Sequence, residues 1–158
     1  MTTLEALIQS HQQRRMPPLD WNARKTKWLD ELNQLLSQIR DQLMAAGVAR
    51  ENLQEIGFPL NEEYLGQYQA PGLLIRIGAS ELVLQPKGTR IIGALGRVDV
   101  TGPRGRAKLI AELGDEATDP APLTQKWHWF IYPEHGRHGR YPLTDDNLAQ
   151  LLTQVLGD

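Results

Sequence analysis

Residues 91–109 read IIGALGRVDVTGPRGRAKL, and the fold turns on how they are taken. Val98 and Val100 alternate with Arg97, Asp99 and Thr101, the period of two that sends successive side chains to opposite faces of a strand. Gly102-Pro103-Arg104-Gly105 follows, a run of turn formers too short for anything but a hairpin. Beyond it Ala107, Leu109 and Ala111 alternate with Arg106, Lys108, Ile110 and Glu112. Two antiparallel strands follow from this, with one apolar face and one polar, cationic face. Gly93 and Gly96 fall inside the first strand when it is read as residues 90–100. A strand that long exceeds the usual five or six residues, so these glycines mark a bulge or bend.

The same grammar extends on both sides. "LLIRI" (73–77), "ELVLQ" (81–85) and "KWHWFIY" (126–132) are short apolar-rich runs, set off by Gly78-Ala79-Ser80 and Pro86-Lys87-Gly88. In the first of them Leu73, Ile75 and Ile77 share a side and Arg76 points the other way. "NLQEIGFPL" (52–60) reads as a sixth strand or as a loop. "NEEYLGQYQAPG" (61–72), with adjacent Glu62 and Glu63 and with Tyr64 and Tyr68 four residues apart, reads as the acidic first turn of a helix. "GDEATDPAPLT" is the longest irregular connection.

Three segments carry the helical period. Residues 2–14 place Leu4, Leu7 and Ile8 on one stripe behind a Thr2/Glu5 capping-box spacing, and Met16-Pro17-Pro18 ends the run. Residues 20–46 repeat Trp21, Trp28, Leu29, Leu32, Leu35, Leu36, Ile39 and Leu43 at helical spacing, with Asp20 before and Gly47 after. At 1.5 Å per residue this helix is about 40 Å long. In residues 144–156, Thr144, Asp145 and Asp146 precede a stripe of Leu148, Leu151, Leu152, Val155 and Leu156. The expected fold is therefore α+β: an antiparallel meander of five to six strands over residues 53–132, with two N-terminal helices and one C-terminal helix packed on one face.

The 158 residues suit one domain spanning 1–158. With no cysteine there is no disulfide, thiolate metal site or cysteine nucleophile, and a reducing cytoplasm is the expected setting. No membrane association is expected, since no run approaches the ~18–20 apolar residues of a span and the N-terminus lacks the pattern of a secretory signal. The net charge of −2 is unevenly spread. Residues 86–110 carry +5, whereas residues 111–122 and 51–63 each carry −4. That pattern suits a local basic patch and argues against a generic polyanion binder.

Candidate chemistry gathers in two places. Arg76, Arg97, Asp99, Lys108 and His128 share the polar sheet face, where they could hold an anion or form a ladder of cross-strand ion pairs. Asp99 and Lys108 lack the companion carboxylate of a metal-dependent nuclease, because Arg106 occupies its slot. "KWHWFIYPEHGRHGRY" (126–141) flanks a cationic loop, His135, Arg137, His138 and Arg140, with Trp127, Trp129, Phe130, Tyr132 and Tyr141. Aromatics beside arginines are the ingredients of protein-interface hot spots and of single-strand binders. His128, His135 and His138 with Glu134 make a poor metal site, since Arg137 and Arg140 repel a cation. No cofactor and no metal is expected.

The expectation is a non-enzymatic module that binds another protein, in the manner of an immunity protein, antitoxin or adaptor of this size and layout. Its surface would comprise Arg76, Arg97, Asp99, Arg104, Arg106, Lys108, His128, Arg137, His138 and Arg140. Two alternatives stand beside it: a nucleic-acid binder using the cations of 97–108 and 137–140, and a small enzyme on an anionic substrate built from Arg97, Asp99, Lys108 and His128. Oligomeric state is left open.

Overall fold

The computed structural model describes residues 3–13, 21–89, 95–112, 126–134 and 139–156. Helix α1 (Thr3–Gln13) and helix α2 (Trp21–Ala45) precede a single 3-10 turn, Arg50–Asn52. Seven strands follow: β1 (Leu53–Glu62), β2 (Gly66–Ile77), β3 (Ser80–Gly88), β4 (Gly96–Gly102), β5 (Gly105–Glu112), β6 (His128–Pro133) and β7 (Tyr141–Pro142). Helix α3 (Asp145–Leu156) closes the described chain. The strands form one antiparallel sheet in sequence order, as the short turns require.

The alternation read from the sequence fixes the two faces. Leu73, Ile75, Leu82, Leu84, Val98, Val100, Ala107, Leu109, Ala111, Trp129 and Ile131 are buried in one core with Leu32, Leu35, Leu36, Ile39 and Leu43 of α2 and Leu148, Leu151 and Val155 of α3. Both helices thus lie on the same face. Trp28 is the centre of one end of this core. It packs against Trp127 and Trp129, at 6.2 and 6.3 Å between ring centroids. Its ring sits so close to Gly96 that a Cβ there would fall 2.4 Å from its Cζ3. Gly96 is therefore a close-approach glycine rather than a bulge, and the strand begins at this residue. Residues 90–94, Gly93 included, lie outside the described residues.

Helix α3 is held at both ends by local chemistry. Thr144 Oγ1 accepts from the Asn147 N–H at 3.2 Å, the N-cap bond the sequence foretells. Gln42 of α2 donates to Asp145 Oδ1 at 2.8 Å. At the other end the Arg104 N–H donates to the Val155 carbonyl at 2.9 Å, so the β4–β5 turn satisfies one of the last helical carbonyls. A Cβ at Gly102 would fall 2.4 Å from that same oxygen.

Three expectations need correction. The sheet has seven strands, not five to six: residues 53–60 belong to β1, and Tyr141–Pro142 adds a short edge strand. Residues 61–72 are not the start of a helix. They contain the tip and returning strand of a long hairpin, with Glu62 paired opposite Gly66 and Leu60 opposite Tyr68. Finally, α1 does not pack on the sheet. Leu4, Leu7 and Ile8 are 65, 55 and 46% exposed, because α2 and α3 already cover the apolar sheet face.

The hairpin correction bears on the surface. β2 pairs with β3 only from Leu73 onward, and its first half pairs with β1 alone. The two strands part where a side chain on Gly72 would collide with the Leu84 carbonyl oxygen and the Phe58 ring. The free half of the hairpin is an arm that reaches α2 and the end of β3. There the Trp28 indole N–H donates to Tyr68 Oη at 3.0 Å, the Tyr68 hydroxyl donates to Glu62 Oε2, and Glu62 Oε1 accepts from the backbone N–H and the hydroxyl of Thr89, each at 2.8 Å.

Candidate functional site

The face opposite α2 and α3 is built from the other residues of each strand. Among the described residues no helix buries side chains on it. Register places its residues in rows across the sheet. One row runs Gln85, Asp99, Lys108, Tyr132, and the next runs Arg97, Ile110, Phe130, Pro142. Thr101 and Arg106 are opposite each other, as are Glu112 and His128.

Most of the charge on this face is tied down. Arg97 grips Asp99 with two hydrogen bonds, Nε to Oδ1 at 2.6 Å and Nη2 to Oδ2 at 3.0 Å, a two-point geometry that fixes both side chains. Arg76 Nε meets Glu81 Oε1 at 3.0 Å across the β2–β3 hairpin, where both are well exposed. Arg140 Nε donates to Glu112 Oε2 at 2.8 Å, and its guanidinium lies 4.4 Å from the Phe130 ring centroid. Tyr132 donates to the same Glu112 oxygen at 3.1 Å. Burial, aided by the hydrogen bond and charge of Glu112 and opposed by Arg140, raises the Tyr132 hydroxyl above its ordinary value. That tyrosine is a neutral donor at physiological pH.

Within this frame sits an apolar centre. Ile110 points away from the main core yet is only 8% exposed, with Arg97 and Phe130 its cross-strand neighbours. Phe130 and Tyr132 are half-buried beside it. Lys108, between Asp99 and Tyr132, is exposed and has no ion pair among the described residues, and neither has the Arg106 side chain. Arg104 is exposed in the adjoining turn. The surface is a half-buried aromatic and aliphatic patch framed by held arginines and rimmed on one side by the exposed side chains of Lys108 and Arg106, where Glu134 Oε2 also accepts from the Arg106 backbone N–H at 3.1 Å.

The structure brings together Arg97, Asp99, Lys108 and Arg140, with Arg106 opposite Thr101 on the same face and Arg104 exposed in the β4–β5 turn, whose backbone is bonded to the end of α3. Arg76 stands apart at the β2–β3 end, committed to Glu81. His128 is four residues along β6 from Tyr132, the partner of Lys108. At ~3.3 Å per residue the two backbone positions are about 13 Å apart along the strand. His135, Arg137 and His138 lie outside the described residues, as do residues 113–125. Among the described residues no group of three or more histidine or acidic side chains is placed to hold a metal ion.

Alternation puts Ile110 and Glu112 on this face and the sequence offers Phe130 and Tyr132 as aromatics, but none of the four is among the site residues expected from the sequence. Strand parity puts Phe130 and Tyr132 on one side of β6. Only the register, which aligns Tyr132 with Lys108 and Phe130 with Ile110, shows which surface they join.

The second ionisable cluster, Glu62 with Tyr68 and Thr89, is saturated. Both Glu62 oxygens are engaged by the contacts above. Burial raises the Tyr68 hydroxyl well above its ordinary value, with the hydrogen bond and charge of Glu62 adding to the effect and the Trp28 bond opposing it. These contacts make the cluster a latch between the arm, α2 and the end of β3. No helix among the described residues is long and apolar enough to cross a membrane. Compared with protein-family models, curated proteins and solved structures, the chain has no match in any of the three.

Proposed function

We propose that this protein is a binding module that receives another protein on the outer face of its sheet, the partner presenting an acidic surface. The observation that carries the reading is the patch of Ile110, Phe130 and Tyr132 framed by Arg97–Asp99 and Arg140–Glu112. Aromatic and arginine anchors on a rigid element, already held in place, are the makings of an interface hot spot, because little side-chain freedom is left to lose on association. Lys108, Arg106 and Arg104 supply the positive rim that favours an acidic partner and speeds its approach.

Two observations favour this reading over its rivals. A nucleic-acid surface built on Arg97 and Arg140 would have to compete with the carboxylates those arginines already hold. An enzyme built on Arg97, Asp99, Lys108 and His128 needs its groups to converge, and His128 stands four residues along β6 from the position opposite Lys108.

The test is capture by the tagged protein from nuclease-treated lysate of the native host at moderate salt, with Phe130→Ala and Lys108→Glu baits beside the wild type. The expected result is one protein recovered in near-equal amount by the wild type and lost by both variants. Recovery of the same protein by the variants, or capture that disappears with nuclease treatment, would sink the proposal.

A further inference from the structure

The two edges of the sheet are unlike. At one end β7 is only Tyr141–Pro142, a length that blunts an edge. At the other, β1 runs for ten residues, Leu53–Glu62, about twice the ordinary strand length. Among the described residues no strand pairs with its outer side. It carries no lysine or arginine, the charges that commonly guard such an edge. Gln54, Glu55, Gly57, Pro59 and Asn61 are exposed along it.

The two prolines of the hairpin indicate which backbone groups point outward. Pro59 is opposite Gln69 and Pro71 opposite Gly57, so both prolines belong to the same alternate set of positions. In an antiparallel pair, opposite residues exchange both hydrogen bonds or neither. A proline, having no N–H, stands in the second kind of pair, its nitrogen turned away from the ladder. Leu53, Glu55, Gly57, Pro59 and Asn61 therefore turn their backbone groups to the free side of β1, with Gly57 in the middle. The arm that carries this edge is also held in place. Tyr64 of the hairpin tip stacks on Trp21 of α2, with ring centroids 4.5 Å apart, and Thr89 holds Glu62 at the end of the strand. An edge already ordered has little freedom left to lose when it gains a neighbour.

We propose that the outer edge of β1 pairs with the same edge of a second copy of the chain, antiparallel about a two-fold axis at Gly57, so that two sheets become one. In this register Gly57 exchanges both backbone hydrogen bonds with the partner's Gly57, and the closest approach falls on a residue without a side chain. The strands overlap from Leu53 to Asn61. Ile56 lies opposite the partner's Phe58, twice by symmetry, a β-branched and aromatic cross-strand pair of the kind that stabilises sheets. Pro59 still offers its carbonyl to the partner's Glu55 N–H. The two Glu55 carboxylates stay about 13 Å apart along the strands, beyond the ~8–10 Å over which exposed charges act. Centring the axis on Glu55 would set those carboxylates face to face, and centring it on Pro59 would leave the middle pair without a donor.

The chain has no cysteine, so single introduced thiols report the pairing and its register. Sedimentation equilibrium of the purified wild type over about 1–500 µM should show a reversible monomer–dimer equilibrium. Ile56→Lys, which sets a charge opposite the partner's Phe58, should weaken it about ten-fold or more. In oxidised glutathione Gly57→Cys should form a disulfide-linked dimer, since the Cα atoms of such a pair lie ~5.5 Å apart. Gln54→Cys, equally exposed, should not, because Gln54 falls opposite the partner's Leu60, ~20 Å along the strand from the partner's Gln54. A wild type that stays monomeric throughout that range would overturn the proposal, since only a strand from another protein would then fit the edge. Crosslinking of Gln54→Cys as readily as Gly57→Cys, or a dimer indifferent to Ile56→Lys, would overturn it equally.

Discussion

Trp28 and Tyr68 are forty residues apart in sequence and joined by a 3.0 Å hydrogen bond from indole N–H to phenol oxygen. The bond ties one end of a two-layer core to the hairpin arm, and the phenol donates its own hydrogen bond to Glu62. Replacing Tyr68 by Phe keeps the ring and removes the oxygen. It leaves a fully buried indole N–H and one Glu62 oxygen without their partners. The expected loss is about 1–3 kcal/mol, the cost of stranding buried polar groups, read as a lower urea midpoint at unchanged slope.

The same phenol sets a limit at high pH. Its hydroxyl is raised above the ordinary value near 10 by burial first and by Glu62 second, so folding favours the protonated form. The contribution is therefore fully present below about pH 10, where the unfolded tyrosine is also protonated. It is lost as pH climbs beyond that point toward the raised folded value. Urea midpoints measured from pH 8 to pH 11 should fall more steeply in the wild type than in Tyr68→Phe. Parallel curves would show that Tyr68 is not the group responsible.

Two glycines answer differently to alanine because their constraints differ. At Gly96 the backbone is unremarkable, but the new Cβ would meet the Trp28 ring at 2.4 Å. At Gly78 there is open space, but φ is +60°. Gly96→Ala must displace a ring packed among other tryptophans, and we expect a loss of about 1–3 kcal/mol with altered tryptophan fluorescence. Gly78→Ala should lose about 1 kcal/mol, the backbone cost of a left-handed residue, and leave the fluorescence as it was.

Where the sequence could be read, the information was local. Alternation in 73–77 and 97–112, turn glycines between them and Thr144 ahead of α3 are features whose causes lie within a few residues. The arm was hidden because its causes are distant. Glu62-Glu63-Tyr64, with Tyr68 one helical turn on, has the look of a helix start. What makes it a hairpin is Thr89 holding Glu62 from 27 residues away and Trp28 holding Tyr68 from 40. The outer-face site was half legible for a related reason: parity names the residues on each side of a strand, while Ile110 beside Phe130 and Lys108 beside Tyr132 depend on register. The stacked Trp21 and Tyr64 had no local signal at all.

Helix α1 shows that amphipathicity alone does not buy a place in a core. Its Leu4, Leu7 and Ile8 stripe is exposed, so deleting residues 1–13 removes no buried apolar contact made by those side chains. The expected change in unfolding free energy is below ~0.5 kcal/mol, the range of ordinary surface changes. A loss of several kcal/mol in the shortened chain would show that α1 docks after all.

Glu31 is the most deeply buried charged residue described, 2% exposed in the middle of α2, with Lys27 one turn earlier at 2.7 Å. A carboxylate in that position is tolerated because the lysine reaches it while keeping part of its own stem in solvent. Lys27→Met should therefore destabilise by about 2–4 kcal/mol, since it strands a buried charge rather than merely deleting a weak surface pair. Combining Lys27→Met with Glu31→Leu removes both charges and should recover most of that loss, because a packed apolar pair is as good as a buried ion pair at the same site. The double-mutant cycle in urea measures the coupling directly. Losses that simply add would mean that Lys27 does not neutralise Glu31 in the folded protein.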